Sequence, residues 1–236
     1  MALGFSKFVP YRAVCEIRYD PAYPLWDRAG HLWGSLKQIW GELAQDEIKP
    51  NSQTFRVGDQ FELKVALTSA SIIEHRPRTG LDEFVAAVDS FTSIVTKVLD
   101  VVTYERLGFR IFYRWECGDL QTGSEEVFKA KLITTPELPL FNVKEQPTQP
   151  ELKLHWDGEK FGASIRLKVE AEKLQFLPPA VHADLLKSQT SEAVYVSYDV
   201  DYYTRAPVSI DSIRIKDFIE QSYHVVKRDS KKVLGE

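Results

Sequence analysis

The segment from Tyr104 to Cys117, YERLGFRIFYRWEC, alternates with a period of two. Leu107, Phe109, Ile111, Tyr113, Trp115 and Cys117 fall on one side of an extended chain. Arg106, Arg110, Arg114 and Glu116 fall on the other, with Gly108 and Phe112 between them. Successive side chains of a strand point to opposite faces, so the pattern predicts a strand with one face in a core and one face polar. Such a strand requires a sheet around it and an apolar layer over its greasy side. The row of three arginines is the feature of the chain that most suggests a binding surface.

Tyr11 to Tyr19 repeats the rhythm. Tyr11, Ala13, Cys15, Ile17 and Tyr19 are expected inward, with Arg12, Glu16 and Arg18 outward. Pro21 and Pro24 end this strand, because proline cannot donate to a ladder. From Trp26 the period becomes helical, with Trp26, Ala29, Leu32, Trp33, Leu36, Ile39, Trp40 and Leu43 on one broad stripe. Trp26, Trp33 and Trp40 read as packing against the sheet. They also read as a partner or dimer interface, since tryptophan is enriched in interface hot spots.

Two strands, Ser52–Val57 and Phe61–Leu67, are expected about a turn at Gly58-Asp59, with Ala70–His75 continuing the sheet. A basic loop, His75 to Gly80, leads to a second amphipathic helix whose stripe runs from Leu81 to Val102, with Thr79 as its N-cap. Ser124–Ile133 is expected to be a short helix. Prolines at 136, 139, 147 and 150 then keep the chain extended. Residues 143–150, VKEQPTQP, read as a linker between an N-terminal α+β half (1–142) and a β-rich C-terminal half (151–236), the two packed together.

The second half opens on a hairpin about Asp157-Gly158. A short helical segment is expected from Pro178 to Lys187. In the strand Val194–Tyr203, Ser197, Asp199 and Asp201 lie opposite an apolar face. A long C-terminal helix starts near Ser209 or Asp211 and ends in a frayed basic stretch, KRDSKK. The strands alternate rather than running continuously apolar. That favours an α+β fold with a mainly antiparallel or mixed sheet covered by amphipathic helices.

Composition bounds the function. The chain has 236 residues, 44% hydrophobic and 27% charged, which is the balance of a soluble protein. No apolar run approaches the ~20 residues of a membrane span. The N-terminal residues lack the pattern of a signal peptide, so a cytoplasmic location and no membrane partner are expected. The net charge of -4 weighs against nucleic acid as a partner. Arginines and aromatics on nearby strands offer single strands only a weak alternative. Cys15 and Cys117 sit on apolar faces and are expected as buried thiols. No cofactor is expected, because neither Gly-x-Gly-x-x-Gly nor a P-loop occurs, and the five histidines form no metal set.

Two function classes follow, and whether the protein is an enzyme stays open. One is a non-enzymatic binding or assembly protein. It would present Arg106, Arg110 and Arg114, with Asp199 and Asp201, to an acidic ligand or partner, and its tryptophan helix to a second copy or another protein. A guanidinium fork matches carboxylate and phosphate. If the two strands are neighbours, Arg110 or Arg114 pairs instead with Asp199 or Asp201. The other class is a metal-assisted hydrolase or phosphoryl-transfer enzyme in which Asp199 and Asp201 hold a divalent ion.

CEIRYDP, YERLGFRIFYRWE, VSYDVDYY and the terminal DFIEQSYHVVKRDSKKVLGE together resemble a sporadically distributed family of uncharacterised bacterial proteins. Arg106, Gly108 and Arg114 match that family's mid-chain strand pattern, whereas Trp115 and Glu116 depart from the polar pair usual there. The resemblance covers most of the chain through short motifs, and it implies no reaction and no catalytic residues.

Overall fold

Alternating strands are stable when neighbouring strands pair with their backbone and a second layer covers their apolar face. The computed structural model describes residues 3–77, 81–133, 144, 147–176 and 189–236, and it meets both conditions. The first half runs β1 (Val9–Arg18), α1 (Pro24–Ile39), β2 (Leu43–Lys49), β3 (Ser52–Val57), β4 (Phe61–Ala66), β5 (Ser69–His75) and α2 (Asp82–Leu99). The two-residue β6 (Thr103–Tyr104) precedes β7 (Arg106–Cys117), α3 (Leu120–Lys129), β8 (Glu151–Asp157), β9 (Phe161–Phe176) and β10 (Gln189–Thr204). β11 (Val208–Ser209) and α4 (Ile215–Leu234) close the chain.

Nine of these strands form one sheet in the order β2-β3-β4-β5-β1-β7-β10-β9-β8, and β6 pairs separately with β11. Every pairing in the large sheet is antiparallel. The fold is therefore α+β, and the sheet is antiparallel rather than mixed. The order is close to a palindrome about the β1/β7 seam. Each half supplies a strand at the centre, a helix, an antiparallel run working inward from the edge, and a second helix.

All four helices contribute to one apolar layer. Leu25, Leu32 and Leu36 of α1, Phe84, Val88 and Phe91 of α2, Val127 of α3 and Phe218, Ile219 and Val226 of α4 share a core with Ile17, Phe109, Ile111, Val196 and Tyr198 of the sheet. The other face of the sheet carries the arginines. Cys15 and Cys117 are free and buried on the core side. Among the described residues, no helix is long and apolar enough to cross a membrane.

Several expectations need correction. Helix α1 stops at Ile39, so Trp40 and Leu43 lie beyond it, and Leu43 opens β2. Periodicity missed β2 because it is an edge strand whose residues after Leu43 are all exposed. Val102 is 71% exposed instead of belonging to the α2 stripe; the helix ends at Leu99 and Asp100 takes a left-handed φ of 55°. Helix α3 begins earlier than expected, where the Asp119 carboxylate accepts a hydrogen bond from the Thr122 N–H at 2.7 Å. The basic end of α4 is not frayed. The helix continues to Leu234, which is buried, and Gly235 caps it at φ 86°. Thr79, Pro136, Pro139, most of 143–146 and the segment Pro178–Lys187 lie outside the described residues.

Among the described residues, the core holds one carboxyl without adequate partners. Glu74 points inward from β5 and is 3% exposed. Its Oε1 accepts from Gln60 Nε2 at 3.1 Å, while Oε2 is buried and unpartnered. Burial raises its pKa, and the nearby Glu83 adds to the shift against the Gln60 hydrogen bond. A carboxyl whose pKa is higher folded than unfolded favours the native state when protonated, and that contribution is lost as pH rises through the folded value. Glu74→Gln is therefore expected to raise stability by about 1 kcal/mol at neutral pH. The gain should vanish below the unfolded carboxyl value of about 4.3. Urea midpoints at the two pH values check it, and an equal shift at both would assign the effect to something other than ionisation.

Candidate functional site

The open face of the sheet is built from the outward positions of five adjacent strands, β5, β1, β7, β10 and β9. In β7 these are Arg106, Gly108, Arg110, Phe112 and Arg114. In β10 they are Tyr195, Ser197, Asp199, Asp201 and Tyr203. The register sets Asp199 opposite Phe112 and Asp201 opposite Arg110. The arginines and aspartates singled out in the sequence thus share one surface.

Each of the three arginines is held by a carboxylate. Arg106 donates to Asp201 Oδ2 at 2.7 Å and to Glu16 Oε1 at 3.3 Å. Arg110 makes a two-pronged contact with Asp199, its Nε lying 2.8 Å from Oδ1. Arg114 donates to Glu172 Oε2 at 2.8 Å. Aromatic rings fix the same guanidiniums: Arg106 lies 4.4 Å from the Tyr203 centroid and Arg110 4.5 Å from Phe112. Arg114 sits 4.1 Å from the Tyr11 ring and 4.7 Å from Tyr195. The Arg110–Asp199 pair is one of those anticipated. Arg114 draws its partner from β9 and Arg106 shares Glu16 of β1, neither of which was expected.

Tyr11 reaches this face through an irregularity in the ladder. The pairing of β1 with β7 shifts between Pro10 and Arg12, so an extra residue is inserted there. Strict alternation placed Tyr11 inward; the bulge moves it beside Phe112, ring centroids 5.8 Å apart.

Arg12 is the exception among the central cations. Among the described residues no carboxylate pairs with it, and its Nε is buried without a partner. Its contacts are the rings of Phe112 and Tyr11, at 5.5 and 5.8 Å. Facing it across the ladder is His75, whose pKa is lowered first by burial and then by the Arg12 charge. Alternation in β1 places Arg12 outward without assigning it a role. Its neighbours come from β5 and β7, more than fifty residues away in the chain, so local patterning carried no sign that it would stand unpaired.

Two shallow depressions meet at this residue. One, of about 290 Å³, has Val14, Ile73 and Gly108 in its lining, with Arg18 and Arg106 among its cations. The other, of about 230 Å³, lies over β1, β7, β10 and β9, with Tyr11, Ser197, Lys168 and Arg166 in its lining. Arg12, Arg110 and Phe112 border both. Gly108 keeps the first open, since a Cβ there would lie 2.8 Å from Arg106 Nη1.

The acidic pair does not present two free ligands. Asp199 is engaged by Arg110 and Asp201 by Arg106. Burial raises the pKa of Asp201, outweighing the opposing pull of Arg106 and Arg110. Among the described residues no group of three or more His, Cys, Asp or Glu is arranged to hold a metal ion. The tryptophans divide: Trp26 is 57% exposed beside Tyr23, Trp33 packs over Phe55 at 5.7 Å, and Trp40 leans on the core from just past the helix. They flank the buried stripe of Leu25, Leu32 and Leu36 without forming it. In comparisons with known proteins, the chain matches no family model and no curated protein.

Proposed function

We propose that this is a non-enzymatic binding or assembly protein that receives an anionic group, carboxylate or phosphate, on the open face of its sheet. Arg12 is the anchoring cation. The observation that carries this reading is its lone position, with every other arginine at the centre of the face already neutralised by a carboxylate. A partly buried guanidinium without a counter-charge has lost hydration that no protein group restores. An incoming anion supplies the missing charge, and the fixed pairs of Arg106, Arg110 and Arg114 hold the surrounding surface in shape while it does so. With the other cations of the face paired, Arg12 leaves it one uncompensated positive charge, which favours an anion at that point.

Calorimetric titration with inorganic phosphate and with citrate tests the reading. Arg12→Ala is expected to weaken binding about 10- to 100-fold, as loss of a charged hydrogen bond would. Arg12→Lys should recover part of it. Binding unchanged by Arg12→Ala in a folded protein, or no anion binding at all, would reject the proposal.

A further inference from the structure

We infer that the ligand taken by Arg12 is a single carboxylate on a short apolar body, the body lying in the first hollow over Val14 and Ile73. This rests on the preceding reading of the face as an anion site and names the class of ligand. Among the described residues the central lattice leaves one cation uncompensated, so it balances one negative charge. A carboxylate above its ordinary pKa of about 4 carries that charge and no more. A phosphate monoester at neutral pH carries about 1.5 to 2 charges, and the surplus would meet Glu16 and Asp201 in the same hollow.

The two hollows differ in what surrounds the shared cation. Beyond Arg12, Arg110 and Phe112, the second is lined by Tyr11, Ser197 and groups already in ion pairs. The first presents Val14, Ile73 and the bare backbone of Gly108. Val14 and Ile73 stand opposite each other in the β1–β5 ladder, and Gly108 stands opposite Glu16, two residues further along β1. Both side chains are half-buried and point away from the core, so they make an apolar patch on the charged side of the sheet.

Register places the patch beside the cation. Arg12 precedes Val14 by two residues on the same side of β1, about 7 Å along the strand, so one short chain can meet the guanidinium and the patch together. Gly108 supplies the room, because a Cβ there would lie 2.8 Å from Arg106 Nη1. The hollow, of about 290 Å³, is at the small end for ligand sites and suits a body of a few carbons. Covering Val14 and Ile73 removes apolar surface from water, which an inorganic anion cannot do.

Straight-chain monocarboxylates from acetate to hexanoate test the inference, because they share one charge and differ in apolar length. Chemical-shift titration of the full chain is expected to give hexanoate about tenfold tighter than acetate, the gain from partial burial of the longer chain. Val14→Thr and Ile73→Thr, made separately, keep a β-branched side chain and make the patch polar. Each should reduce the hexanoate-to-acetate ratio about threefold. Equal affinities for acetate and hexanoate, or a ratio untouched by both substitutions, would overturn the apolar-body inference while leaving the single-anion reading intact. Absence of binding by phosphate, citrate and every monocarboxylate would overturn both.

Discussion

Phe109→Ala is expected to lower the stability of the protein by about 3–5 kcal/mol. Phe109 is an inward residue of β7 and is 0% exposed. It pairs across the ladder with Cys15 of β1 and Tyr202 of β10, so both halves of the sheet close on it. Above it the Phe84 ring of α2 lies 6.3 Å away. Truncation removes a large apolar surface and leaves a void walled by a sheet seam and a helix, neither of which can collapse without moving a continuous ladder. Denaturant unfolding followed by far-ultraviolet circular dichroism measures the loss. A change under about 1 kcal/mol would mean that the seam is not the packing centre of the molecule.

Arg106→Met is expected to cost about 2–3 kcal/mol, somewhat less than the figure for breaking a fully buried pair, because both partner carboxylates still reach water. Methionine retains much of the aliphatic stem, so the change is chiefly one of charge. It strands Asp201, which Arg106 holds at 2.7 Å, whereas Glu16 loses a 3.3 Å contact and keeps Arg18 at 2.7 Å. Burial already raises the pKa of Asp201 with the guanidinium present, and without it the carboxyl moves higher. Protonation of Asp201 favours the folded variant, so the deficit should be small near pH 4 and grow as pH rises towards 7. Adding Asp201→Asn to the variant is expected to recover about half of the loss at neutral pH, by removing the stranded charge. Unfolding midpoints across that range decide the matter, and a deficit independent of pH would assign the effect to packing against Tyr203.

The two substitutions separate two uses of the same strand. Phe109 and its inward neighbours hold the halves together, whereas Arg106 and its outward neighbours keep a charged surface in a fixed arrangement. Cross-strand pairs on an exposed sheet face usually contribute little to stability. In the dense lattice here every central arginine but Arg12 is fixed by an acid and a ring, which holds the charged face in one arrangement.

Strand and helix identities were legible in the chain wherever one face meets a core, because burial imposes a period of two or of 3.6 on the residues themselves. That covers β1, β3, β4, β5, β7, β9 and β10, the inward set of β7, and the existence of α1, α2, α3 and α4. β2 was hidden because an exposed edge strand obeys no such rhythm, and Tyr11 was placed on the wrong side because one inserted residue reverses an alternation. Which carboxylate each arginine takes was beyond local reading. Arg106 meets Asp201 across 95 positions, and Arg114 meets Glu172 across 58. The solitary state of Arg12 is likewise a property of register, since a charge is paired or unpaired only by virtue of what the neighbouring strands bring opposite it. The alternation determined that this protein would have a greasy face and a charged one; the order of strands in space decided which cation was left over.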